Sequence, residues 1–125
     1  MYKIFVYGTL KKGGSNHYFL RSSKFIKKQT LKDHSIFVPS GYGFPLLLKD
    51  KGGKVHGELY EVDDITLMSL DMLESEGYLY HRIHDKELGF QYYLYNDTGY
   101  SRIDKKKDKI MRFDTDRSKN KKLRK

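Results

Sequence analysis

Two stretches of this chain hold residue types at spacings that can do chemistry. The first is Val6-Tyr7-Gly8-Thr9-Leu10-Lys11-Lys12-Gly13, followed by Asn16-His17. A strand that runs into Gly8 and then a hydroxyl residue can turn its backbone N–H groups inward, where they would hold an anion or a developing oxyanion. It is not a P-loop, because the GxxxxGK[ST] spacing is missing. The second is Leu70-Asp71-Met72-Leu73-Glu74-Ser75-Glu76-Gly77-Tyr78-Leu79-Tyr80-His81-Arg82. It sets Asp71, Glu74 and Glu76 at the C-terminal end of an expected helix, where the helix dipole disfavours negative charge. Asp71 and Glu74 are three apart, share a face and repel. A carboxyl held there has its pKa pushed up, more so if Tyr78 and Tyr80 exclude water, and a raised Glu is a usable general base near neutral pH. The plain alternative is that Glu74 and Glu76 are surface residues at a fraying helix end.

Other polar residues carry weaker signals. His17, His34, His56, His81 and His84 show no HExxH or similar pairing, so no metal site is expected. With no cysteine, thiolate metal sites, disulfides and a Cys nucleophile are excluded. Tyr60, Tyr80, Tyr92, Tyr93 and Tyr95 read first as core or sheet residues, one or two of which line a pocket. Arg82 either orients a carboxylate or pairs structurally with Glu58 or Asp71.

The elements that must position these groups are mostly strands. Tyr2–Tyr7 alternates and is rich in β-formers. Ser15 or Asn16 caps a short helical segment through Leu20. Strands are expected at Phe25–Leu31 and Ser35–Val38, joined near Lys32-Asp33, and extended chain at Leu46–Lys49. Between these lies a glycine-rich aromatic loop, Ser40–Pro45. Asp50-Lys51-Gly52-Gly53 reads as a hairpin-like turn into Val55–Val62, where Leu59 and Tyr60 face opposite ways and neither face is cleanly polar. The helix is Asp64–Glu74, N-capped by Asp63 or Asp64, with Ile65, Met68 and Met72 at helical spacing as its core positions and Leu73 beside them. Strands follow at Tyr78–His84 and Phe90–Tyr95, joined by a turn at Lys86–Gly89, and Asn96–Gly99 is a further turn. The pattern predicts an α+β domain: a small mixed, mostly antiparallel, barrel-like sheet with one or two helices packed outside.

At 125 residues there is room for one core. The net charge of +9 is unevenly spread: residues 104–125 hold eleven Lys and Arg against four Asp, and residues 1–103 are nearly balanced. The expected organisation is a domain over 1–103 and a solvated basic tail over 104–125. A tail of this kind can touch anionic surfaces, but no nucleic-acid reading motif accompanies it, so a nucleic-acid partner is not expected. The longest apolar runs fall far short of the roughly 20 residues that cross a bilayer. The N-terminus does not read as a signal peptide, so a cytoplasmic protein without membrane partners is expected.

In this order and spacing the motifs resemble the γ-glutamylcyclotransferase-like (AIG2-like) family, particularly its γ-glutamylamine cyclotransferase branch. The resemblance rests on Val6-Tyr7-Gly8-Thr9-Leu10, the later Asn16-His17, Gly43-Phe44-Pro45, Gly57-Glu58-Leu59-Tyr60, Leu73-Glu74-Ser75 and Leu79-Tyr80-His81-Arg82. It covers roughly residues 2–95. It implies conversion of a γ-glutamyl amine or amino acid to 5-oxoproline and a free amine, with a small-molecule substrate and no cofactor. It further implies Glu74 as acid/base and Tyr7, Gly8, Thr9, Leu10 and Tyr80 as substrate-binding residues. Glu76, which also precedes a glycine, is the rival to Glu74. The departure is Ser75, where the family has Gly; a left-handed helix end would make serine costly there. The alternative reading is a non-catalytic binding or regulatory module on the same fold.

Overall fold

The computed structural model describes residues 1–38, 46–77, 79–95 and 109–110. Six strands form one mixed sheet in the order β4-β5-β1-β3-β2-β6. They are β1 (Tyr2–Val6), β2 (Lys24–Phe37), β3 (Leu46–Val62), β4 (Tyr80–Asp85), β5 (Phe90–Tyr95) and β6 (Lys109–Ile110), with one helix, α1 (Asp64–Leu73), after β3. β1 lies inside the sheet, antiparallel to β3 from Tyr2↔Val62 to Val6↔Glu58 and parallel to β5 at Ile4↔Gln91. The α+β class expected from the sequence holds. The barrel does not close, because β4 and β6 are unjoined edges among the described residues.

The two long strands differ most from expectation. The expected strands Phe25–Leu31 and Ser35–Val38 merge into one strand, β2, which ends at Phe37, and the expected turn at Asp50–Gly53 lies within β3. Lys32 pairs with Lys54 and His34 with Lys49, so the four residues 50–53 bulge opposite Asp33 alone. Side chains fix the bulge: Asp33 accepts from Gly52 N–H at 3.0 Å, and Ser35 Oγ donates to Asp50 at 2.7 Å. Turn-type residues here bend a ladder instead of ending it. A second bulge at Ile26 separates Phe25↔Tyr60 from Lys27↔Leu59. The expected loop Ser40–Pro45 and the turn Asn96–Gly99 lie outside the described residues, as does Tyr78. Within the expected tail, Lys109–Ile110 pairs with Ile36 and Phe37 of β2.

Alternation divides the core between the two sheet faces. One cluster is built on Ile4, Val6, Phe37, Leu48, Tyr60, Val62, Tyr93 and Tyr95, and Leu67 and Leu70 of α1 pack against it. The other holds Phe5, Leu31, Ile36, Leu47, Val55, Leu59, Phe90 and Tyr92, and includes no residue of α1. The sheet's own curl buries that second face. Tyr92 on β5 bonds His34 on β2 at 3.0 Å although β1 and β3 lie between them. At about 4.8 Å per strand, a flat sheet would hold those side chains too far apart.

The helix begins at Asp63, whose carboxylate accepts from Thr66 N–H at 2.8 Å. That bond holds the Asp63 carboxyl below its usual pKa. Most of the expected core stripe is reversed: Ile65, Met68 and Met72 are 76, 64 and 79% exposed, while Leu67 and Leu70 are buried and only Leu73 of the expected set packs against the core. Both sets have helical spacing, so periodicity alone could not choose between them. None of the described helices is long and apolar enough to cross a membrane.

Candidate active site

Glu74 ends α1 as its C-cap, and the chain then turns through Ser75 at φ 50°. Glu76 N–H reaches back to the Asp71 carbonyl at 2.9 Å and Ser75 N–H to Met72 at 3.2 Å. This pair of bonds is the Schellman arrangement, in which the residue after the cap is left-handed and usually glycine. The position that departs from the family pattern is therefore the strained one. The turn also separates the two rival carboxylates. Glu74 faces a cavity, whereas Glu76 is exposed and accepts from the Arg82 backbone N–H at 3.3 Å.

The opposite wall forms where β1 ends. Gly8 has φ 61°, a left-handed conformation that turns the chain into a short 3₁₀ turn, Gly8–Leu10. The N–H groups that open such a turn have no partner within it. Its far side is tied down by Asn16, whose side chain donates to Thr9 Oγ1 at 3.0 Å and whose N–H donates to the Thr9 carbonyl at 2.9 Å. A side chain at Gly14 would overlap that carbonyl. The expected helical segment at 15–20 is a second 3₁₀ turn, His17–Leu20. Its His17 Nδ1 bonds the Leu10 carbonyl at 3.0 Å. Glu58, buried on β3, accepts from Lys12 N–H at 2.8 Å and from Tyr60 OH at 3.0 Å. Sequence reasoning gave Glu58 no role in holding this loop, because only the β1–β3 pairing brings it there.

Between the walls lies a cavity of about 370 Å³, lined by Phe5, Val6, Tyr7, Gly8, Thr9, Leu10, Asn16, Leu73, Glu74, Leu79, Tyr80 and Tyr93. All six residues singled out from the sequence, Tyr7, Gly8, Thr9, Leu10, Glu74 and Tyr80, face this one space. Tyr93 is the further tyrosine that joins them. Tyr7 OH donates to the Tyr93 carbonyl at 3.3 Å.

Among the described residues that line the cavity, Glu74 is the one carboxyl, and no Lys or Arg accompanies it. Burial raises its pKa to about 7. Of the causes the sequence offered, the helix dipole, repulsion from Asp71 and exclusion of water, it is loss of water that acts. Asp71 is instead engaged by Arg82, with Nε to Oδ1 at 2.9 Å and Nη2 to Oδ2 at 3.1 Å. Of the partners left open for Arg82, the structure selects Asp71. Burial first, and the neighbouring Glu74 charge next, raise the Tyr80 hydroxyl well above its ordinary range, so it is neutral. Tyr93 is raised further by burial and by its 2.6 Å bond to Asp71. The site therefore offers a carboxyl that gains or loses a proton near neutrality, two neutral phenols, and backbone N–H groups across an otherwise uncharged space.

Comparison with known proteins agrees with this geometry. The family model for γ-glutamyl cyclotransferase, AIG2-like, matches residues 4–113. A putative γ-glutamylcyclotransferase of Drosophila melanogaster is 36% identical over 88 residues, covering 64% of this chain and 56% of that protein. The human γ-glutamylaminecyclotransferase is 39% identical over 87 residues, covering 63% of this chain and 57% of that protein. The chain thus spans a little over half the length of these two relatives. Among solved structures, an uncharacterized protein from Pyrococcus horikoshii superimposes with a TM-score of 0.74 at 25% identity, covering 99% of this chain and 98% of the other. A mouse AIG2-like protein does so with a TM-score of 0.63 at 32% identity, covering 82 and 80%. The strand-to-turn loop, the late helix ending in Glu74 and the curled mixed sheet thus belong together, and the chain is a member of the γ-glutamyl cyclotransferase, AIG2-like family.

Proposed function

We propose that this protein is a cofactor-independent γ-glutamyl cyclotransferase that converts a γ-glutamyl amine or γ-glutamyl amino acid to 5-oxoproline and the free amine. The observation that carries the reading is Glu74, a carboxyl raised to about 7 by burial and set across an uncharged cavity from the Gly8–Leu10 turn. In the reaction the substrate's α-amine attacks its own γ-carbonyl carbon. A five-membered lactam forms as the bond to the leaving nitrogen breaks. The attack is intramolecular, so the site has only to hold the glutamyl chain curled.

The α-amine arrives as an ammonium and has to lose a proton before it attacks. Glu74 takes that proton and later returns it to the leaving nitrogen. A carboxyl near pKa 7 suits both steps, being basic enough to accept and acidic enough to donate. The N–H groups of Gly8, Thr9 and Leu10 receive the α-carboxylate or the oxyanion, and Tyr7 and Tyr80 flank the glutamyl chain. Residues 1–103 carry every group that the reaction uses.

The test is 5-oxoproline release, followed by mass spectrometry, from γ-glutamyl amino acids, γ-glutamylamines and glutathione. Wild type and Glu74→Gln are run side by side. Release by wild type alone supports the reading and identifies the substrate class. Silence across the panel from folded protein would favour the non-catalytic module, and full turnover by Glu74→Gln would remove Glu74 from its role.

A further inference from the structure

Two motifs of the sequence take no part in the proposed reaction, Asn16-His17 and Gly57-Glu58-Leu59-Tyr60. The fold brings both to the exit of the Gly8–Leu10 turn. Gly57 lies on β3 against the end of β1, and a side chain there would overlap the Val6 carbonyl and the Phe5 ring. Glu58 is the register partner of Val6, the last residue of β1. One of its oxygens, Oε1, takes both the Lys12 N–H at 2.8 Å and the Tyr60 hydroxyl at 3.0 Å. The Tyr60 ring in turn packs on the His17 ring, with centroids 5.7 Å apart. His17 Nδ1 is 3.0 Å from the Leu10 carbonyl and must donate to it. A closed circuit therefore runs from Leu10 through His17, Tyr60 and Glu58 to Lys12, gripping the chain on both sides of Lys11. Of these five residues Leu10 alone lines the cavity.

We propose that Glu58 is a positioning residue for substrate binding: through Lys12, and with Tyr60 and His17, it sets the Gly8–Leu10 turn so that the N–H groups opening the turn receive the substrate's α-carboxylate. The inference rests on the cyclotransferase reading. The α-carboxylate is a full charge that enters with the substrate, and no Lys or Arg is among the described residues that line the cavity. Backbone N–H groups hold an anion well when their loop is fixed beforehand, because binding then has no ordering cost to meet. A left-handed glycine and a single 3₁₀ turn give this loop little stiffness of its own. Glu58 supplies it from behind the turn, on a strand held between β1 and β2.

The experiment compares two ligands by NMR titration, 5-oxoproline and 2-pyrrolidinone, which differ in the carboxylate alone. Wild type should prefer 5-oxoproline. Glu58→Ala should weaken 5-oxoproline binding by about 10- to 100-fold, the scale of a misplaced binding group, and leave 2-pyrrolidinone within about twofold. Glu58→Gln keeps an acceptor oxygen for Lys12 and Tyr60 and should restore most of the preference. In turnover, Glu58→Ala should raise KM on the same scale while the pH profile of kcat stays in place, since Glu58 handles no proton of the reaction. Should Glu58→Ala fail to fold, Tyr60→Phe and His17→Phe each remove one bond of the circuit and keep a ring. Each should lower the preference for 5-oxoproline by about threefold or more. Equal loss of both ligands in Glu58→Ala, a Glu58→Gln as weak as Glu58→Ala, or a preference unchanged in every variant would overturn the role of Glu58. The titration needs no turnover, so the two failures are separable: a wild type that neither binds 5-oxoproline nor releases it would reject the cyclotransferase reading itself.

Discussion

Tyr92 and Tyr93 are neighbours on β5 and serve opposite faces of the same sheet. Tyr92 points into the curled inner face, where it packs with Phe5 and Phe90 and its hydroxyl meets His34. His34 Nδ1 lies 2.8 Å from the Lys32 carbonyl and must donate to it, so Nε2 accepts from Tyr92. Burial lowers the pKa of that imidazole and keeps it neutral. Tyr93 points to the helix-covered face, where a cavity remains and, among the described residues of its lining, a half-buried carboxyl has no cation. One face satisfies its polar groups and holds the sheet together. The other leaves a carboxyl poorly solvated, which costs stability and provides a base. Changes on the inner face should therefore alter stability, and changes on the cavity face should alter turnover.

The sharpest break in that comparison is Glu74→Gln. Turnover should fall by about 10²- to 10⁴-fold, measured as 5-oxoproline release. Stability should move the other way. A carboxyl whose folded pKa lies above its unfolded value favours the fold below the unfolded pKa, and that benefit is lost as pH rises through about 7. At pH 8 the variant should unfold about 2–3 kcal/mol later than wild type in urea, and the gain should vanish by pH 4.

On the inner face, Phe5→Ala should cost about 3–5 kcal/mol, read as a lower urea midpoint, because Phe5 is fully buried. Tyr92→Phe leaves a buried imidazole nitrogen unpaired and should cost about 1–2 kcal/mol while sparing kcat. At the junction, Ser75→Gly relieves a left-handed residue and should raise stability by about 1 kcal/mol in thermal melts. Turnover held at the wild-type level there would mean that serine already aims Glu74 as glycine would. The smallest effect belongs to Met72→Gln on the exposed side of α1, within about 0.5 kcal/mol either way by the same melts.

Local signals in the sequence were legible where one residue dictates one conformation. Gly8 breaks β1 where the turn begins, Asp63 caps α1, and the Lys86–Gly89 turn forms under Asp85, whose carboxylate accepts from Glu87 and Leu88 N–H. Reasoning failed where two outcomes share a pattern. Asp50-Lys51-Gly52-Gly53 has turn composition, and a bulge and a hairpin both use such residues. Ile65, Met68 and Met72 share the period of Leu67 and Leu70, so the buried side of α1 depended on what lay beneath the helix.

The sequence by itself determined the strand-rich α+β character, the order of the motifs, and the residue types that meet in the cavity. Those follow from local backbone preference and from side-chain chemistry carried in the chain. Tertiary structure decided the rest. It turned Glu74 inward and Glu76 outward through one left-handed residue, gave Arg82 to Asp71, and selected burial from among the causes that could raise the Glu74 carboxyl. Burial and pairing depend on which distant strands pack together, and residues 71, 82 and 93 meet only after the sheet has formed.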